Sequence, residues 1–142
     1  MCGRYYISDE DMEEELRLII DTLKQRSDPE MKLKTRGEIF PTDIVPVLAN
    51  NRALVKTPFA MRWGFDLNGK SIINARSETA SEKPMFADGM QQRRCLIPAS
   101  FYFEWEKLDT GKIKYAIKPA KAKVIYMAGI YRIRVGTPEL VI

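Results

Sequence analysis

From residue 43 onward the chain is cut into short apolar runs, each closed by residues that turn the backbone, and this punctuation leaves few folds open. Asp43–Ala49 is apolar but holds Pro46, which cannot donate to a ladder and so marks an edge or a bend. Asn50-Asn51 turns into Ala53–Thr57, and Phe59–Phe65 leads to a second turn at Asn68-Gly69. Ser71–Asn74 reads as a short strand, Pro84–Arg93 as a short helix, and Leu96–Pro98 and Tyr102–Lys107 as strands. Asp109-Thr110-Gly111-Lys112 turns into Ile113–Ile117, Lys123–Arg132 alternates as a further strand, and Pro138–Ile142 begins another. Strands joined by tight turns pair with their neighbours in sequence, so the sheet is expected to be antiparallel.

One segment breaks this pattern. Met12, Leu16, Ile19, Ile20 and Leu23 recur at helical spacing, which predicts a helix over 9–26. Ser8 stands where an N-cap is wanted, the first turn is acidic, and Ser27-Asp28-Pro29 ends the run. The expected class is therefore α+β: a mainly antiparallel, barrel-like β-sheet with a few flanking helices. The 142 residues fit a single domain, and a last strand that stops at Ile142 without a polar cap leads us to expect that domain to be incomplete at its C-terminus.

The chain has no histidine. A Ser-His-Asp triad, a Cys-His pair and a His-ligated zinc site are thereby excluded within it. Its two cysteines, Cys2 and Cys95, form no CxxC, so neither a disulfide framework nor a metal site is expected, and no cofactor is implied. Cys95 lies in a strand-like run and reads as a buried apolar residue. The N-terminus is no signal peptide and no apolar run reaches membrane-spanning length, which reads as a soluble, cytoplasmic protein with no membrane partner. Residues 1–30 hold nine acids against four bases; the remainder holds nineteen bases against ten acids. A basic body behind an acidic segment suits polyanions, nucleic acid first, although a solvated lysine-rich surface has the same composition.

Cys2 is the residue with the most chemistry to offer. Once Met1 is removed, it carries an α-amine and a thiol on adjacent carbons. Such an amine has a pKa near ~7.7–8.0, so part of it is neutral at pH 7 and attacks an aldehyde to give an imine. The adjacent thiol then closes on the imine carbon as a five-membered thiazolidine, favoured by its high effective concentration. The same group also serves as an N-terminal nucleophile with its own amine as base. Neither step needs an imidazole.

Met1-Cys2-Gly3-Arg4-Tyr5 resembles the start of the SRAP family, the SOS-response-associated peptidases that process abasic sites. Further segments follow in family order: Met61-Arg62-Trp63-Gly64-Phe65, then Ile73-Asn74-Ala75-Arg76-Ser77-Glu78-Thr79, then Arg94-Cys95-Leu96-Ile97-Pro98-Ala99 with Glu104-Trp105, and Ala128-Gly129-Ile130-Tyr131. The resemblance implies a protein that senses abasic sites in single-stranded DNA and forms a covalent thiazolidine crosslink through Cys2, with self-removal of Met1 and lyase-type activity. Asn74 and Glu104 match the family's catalytic asparagine and glutamate. Arg4 and Arg76 match positions that hold DNA phosphates, for which forked donors are suited. Trp63, Trp105 and Pro41 are the candidates for stacking against splayed bases. A monomer is expected, associated with the nucleoid in a bacterium.

The sequence departs from the family pattern in three places. A histidine in an H-x-R-M-P-type segment would fall beyond residue 142, Phe101 stands where Gly is usual, and Phe65–Ile72 is short. Two other readings compete. N-terminal-nucleophile glutamine amidotransferases also begin Met-Cys-Gly, and Asn68-Gly69 would mimic their oxyanion element. A non-covalent single-strand-binding module would use the basic body and aromatic side chains without forming a bond to DNA.

Overall fold

The computed structural model describes residues 1–10 and 12–142. In chain order its elements are β1 (Tyr5–Ile7), α1 (Glu14–Arg26), β2 (Gly37–Ile39), β3 (Ile44–Asn50), β4 (Lys56–Trp63), β5 (Phe65–Leu67), β6 (Lys70–Ile72), α2 (Ser77–Ala80), α3 (Pro84–Gln92), β7 (Arg94–Ala99), β8 (Phe101–Leu108), β9 (Gly111–Ile117), β10 (Ile125–Arg132) and β11 (Glu139–Val141). The class is α+β, as the turn pattern predicts.

Five strands close a barrel in the order β10-β11-β4-β3-β7, sealed by pairing of β7 with β10. All its pairings are antiparallel except β11 with β4, which is parallel. A second sheet, β2-β1-β8-β9, is antiparallel throughout, and β5-β6 forms a separate hairpin. Its turn has φ of +52° at Asn68 and +82° at Gly69, the two left-handed residues that a two-residue hairpin requires. Pro46 fits the expected edge locally. It pairs with Ala60 on one side, while β3 meets β7 only further along, at Leu48 and Ala49.

The strand predictions need one main correction. Ala53–Thr57 and Phe59–Phe65 are not two strands. Lys56–Trp63 is continuous through Pro58, and the break falls at Gly64, whose φ of +118° disfavours any side chain. The strands β1 and β2 and the short α2 gave no periodic signal because each is only three or four residues long.

The helix also starts later than its periodicity implies. α1 begins at Glu14, with Glu13 as N-cap and no capping side-chain bond. Ser8 is not the cap; its backbone N–H donates to the Ser100 hydroxyl at 2.9 Å, tying the end of β1 to the β7–β8 junction. Asp11, inside the expected helix, lies outside the described residues. Leu16, Ile19, Ile20 and Leu23 form the buried face, which packs on β3 and β4. The main core joins this face to Tyr5, Ile7, Ile39, Val45, Val47 and Trp63, so barrel, helix and second sheet share one interior.

Candidate active site

The N-terminal residues are held in place by backbone pairing. The Phe103 N–H donates to the Arg4 carbonyl and the Ser100 N–H to the Tyr6 carbonyl, both at 2.9 Å. Residues 2–4 therefore run on from β1 alongside β8, and β8 carries Glu104. The Met1 amine lies 3.2 Å from Glu104 Oε1, and the half-buried Cys2 thiol donates to the Arg4 carbonyl at 3.5 Å. Burial raises the Cys2 pKa above its ordinary value; a backbone hydrogen bond at Arg4 opposes the rise, the Glu104 carboxylate adds to it, and the terminal ammonium opposes it.

Asn74 reaches the same place from another part of the chain. A cleft of about 640 Å³ is lined by Met1, Cys2, Asn74, Arg76 and Thr79, with Ile142 at its wall. The backbone on either side of Asn74 is pinned: the Ala75 N–H donates to the Ile142 carbonyl at 2.8 Å, and the Ile142 N–H to the Ile73 carbonyl at 3.1 Å. Arg76 is exposed at the foot of α2 and, among the described residues, forms no ion pair, with Glu78 or otherwise. The structure thus brings Cys2, Glu104 and the Asn74–Arg76 stretch together from three separate segments.

The stacking candidates do not share one fate. Trp63 is fully buried, and its indole N–H donates to the Ile73 carbonyl at 3.0 Å. It cannot meet a base, and its place in the site is to hold the backbone that carries Asn74. Trp105 is 38% exposed. It follows Glu104 in an extended strand, so the two side chains leave opposite faces of the sheet. Trp105 accordingly sits with Arg4, whose guanidinium is 5.9 Å from its ring centroid. Arg4 lies closer still to Phe40, at 4.0 Å, and 3.7 Å from Glu38. Pro41, half-buried, follows Phe40 at the end of β2.

Phe40 escaped the sequence reading because a lone aromatic beside a proline has no periodicity to mark it. Tyr5 was missed too. Its hydroxyl is fully buried with no hydrogen-bond partner among the described residues, and its pKa is raised well above the ordinary value, first by burial and then by Cys2 and Asp43. Cys95 is buried as expected, and burial pushes its thiol up to about 12, which keeps it inert at neutral pH.

A family model described as SOS response associated peptidase (SRAP) matches residues 1–139. The chain belongs to the SRAP family. YoqW of Bacillus subtilis, named an abasic site processing protein, is 33% identical over 98% of this chain and 63% of its own length. YedK of Escherichia coli, with the same description, is 28% identical over 92% of this chain and 59% of its own length. This SRAP chain therefore spans less than two thirds of either relative. A crystal structure of a protein from Bacteroides thetaiotaomicron shares the fold, with a TM-score of 0.70 at 19% identity, covering 99% of this chain and 67% of that one. Among the described residues no helix is long and apolar enough to cross a membrane.

Proposed function

We propose that this protein processes abasic sites in single-stranded DNA, capturing the open-chain sugar aldehyde as a thiazolidine on Cys2. The observation that carries this reading is that the chain start, with the Met1 amine 3.2 Å from Glu104, lies beside a cleft that Cys2 and Asn74 line. The names of the SRAP relatives support the same lesion.

Water first hydrolyses the Met1–Cys2 peptide bond and free methionine leaves, which exposes the Cys2 amine. That amine adds to the aldehyde carbon. The carbinolamine then loses water, its hydroxyl leaving with a proton that Glu104 relays from the amine nitrogen, to give the imine. The Cys2 sulfur adds to the imine carbon while its proton passes to the nitrogen, closing the ring. Asn74, whose amide both donates and accepts, holds the sugar hydroxyls, and Arg4 and Arg76 hold flanking phosphates. On this reading the protein acts as a monomer in the cytoplasm, on single-stranded DNA that contains abasic sites and without a cofactor.

The test is incubation of Met-free protein with an oligonucleotide bearing one abasic site, followed by a denaturing gel. A denaturant-resistant adduct that Cys2→Ala abolishes is expected. A wild-type protein that gives none, or a Cys2→Ala protein that still gives one, removes the reading. Glutamine hydrolysis without adduct would support the amidotransferase alternative instead.

A further inference from the structure

The sheet β2-β1-β8-β9 lays one face on the core at β1 and β2, while β9 and the far end of β8 stand exposed on both faces. Tyr5, Ile7 and Ile39 fill the inner face and are completely buried. The register places Tyr6 opposite Phe101, Phe103 opposite Ala116 and Trp105 opposite Lys114 on the other face. There Tyr6 stacks on Phe101 with centroids 4.9 Å apart, and Phe101, Phe103 and Trp105 follow one another along β8 at 5.4 and 6.4 Å. Each of these β8 rings has a cation beside it. Lys118 lies 4.9 Å from Phe101, Lys114 lies 3.9 Å from Phe103 and 5.6 Å from Trp105, and Arg4 completes the row. Glu38 holds the basic end of this row in place, 2.7 Å from Lys114 and 3.7 Å from Arg4.

We propose that this open face is a track for single-stranded nucleic acid leading away from the cleft, with Phe103 and Phe101 as base platforms and Lys114 and Lys118 on the phosphates. Alternating π-faces and cations along an extended line match the chemistry of a strand whose bases are unstacked, and such binding is tolerant of sequence. Arg4 links the face to the cleft along the chain: it stands two residues from Cys2, which lines the cleft, and its carbonyl accepts from the Phe103 N–H. The proposal rests on the reading of that cleft as a single-strand site. It adds an extended contact that no residue of the crosslinking chemistry supplies.

The experiment compares the wild-type chain, the double variant Lys114→Gln/Lys118→Gln and Phe103→Leu. Fluorescence anisotropy with lesion-free oligonucleotides of increasing length is measured over a salt series. Losing two phosphate contacts should lower the log-log salt slope by about 1.4. Losing one platform should weaken binding to the longer strands by about 5- to 150-fold. The lysine variant, whose changed residues are exposed on β9 and just past its end, serves as the measure independent of packing. A short abasic oligonucleotide at saturating concentration should crosslink equally to the wild type and the lysine variant. Salt slope and length dependence unchanged in the lysine variant overturn the track. So does loss of lysine-dependent binding to phosphatidylserine vesicles with oligonucleotide binding intact, which would make the face a membrane surface. A wild-type protein that binds the strand but forms no adduct would remove the crosslinking reading and leave the track standing.

Discussion

Replacing Trp63 with Phe separates the two roles a tryptophan could have at this position. The indole is fully buried, and its N–H donates to the Ile73 carbonyl at 3.0 Å. That carbonyl also accepts from the Ile142 N–H at 3.1 Å, so it keeps one partner in the variant. The lost bond should therefore cost about 0.5–1.5 kcal/mol, without the penalty of an orphaned group. Shrinking the ring leaves a gap costing about 1–2 kcal/mol more, below the ~3–5 kcal/mol of complete truncation. Together these amount to about 1.5–3.5 kcal/mol, or a fall in Tm of roughly 5–12 °C for a chain of this size. Affinity for lesion-free single-stranded DNA should stay within about twofold, since a stacking tryptophan would instead forfeit about 1–3 kcal/mol per base. Adduct formation should slow, because Asn74 is next to the loosened carbonyl. Guanidinium melts, anisotropy and single-turnover crosslinking measure the three quantities. Unchanged stability combined with a loss of affinity above fivefold would refute the placement of Trp63 in the core.

Two further outcomes follow from other parts of the structure. Glu139 is buried at 6% exposure, 2.6 Å from Arg132 and 3.8 Å from Arg62, and it joins β11 to the strands on either side. Glu139→Ala should cost about 2–3 kcal/mol in a urea melt, less than a fully buried pair because both arginines retain some solvent, and a loss under 0.5 kcal/mol would refute the reading. In the Met1-bearing chain the raised pKa of Cys2 keeps its thiol protonated at neutral pH. Alkylation of Cys2 by iodoacetamide, followed by mass spectrometry, should rise about tenfold per pH unit from pH 7 without levelling off before the ordinary thiol value of 9.0, and a plateau below that pH would contradict the burial argument.

Much of the architecture was legible because it rests on local signals. The apolar face of α1 is a period, Asn68-Gly69 is a turn chemistry, and the longer strands are runs closed by such turns. The failures share one physical cause. Lys56–Trp63 stays continuous through Pro58 because ladder partners on β3 hold it, and Ser8 is tied to the end of β1 by a Ser100 hydroxyl that is near only after the chain folds back, while α1 starts six residues later at Glu14. Strands of three residues, such as β1 and β2, exist only through their partners.

The candidate site divides in the same way. Adjacency within the chain determined the chemistry: an amine and a thiol share one residue only at Cys2, and the ordered segments from Met1 to Tyr131 are a property of the string of letters. Which residues stand together was decided by the tertiary structure. Cys2, Asn74 and Glu104 are far apart in sequence and meet because β1 pairs with β8 and because Ile142 and Trp63 pin the strand end before Asn74. Trp63 and Trp105 look alike in sequence, each following a charged residue on a strand. One points into a closed barrel and the other onto an open sheet face, and side-chain direction in a strand depends on register and on what covers each face.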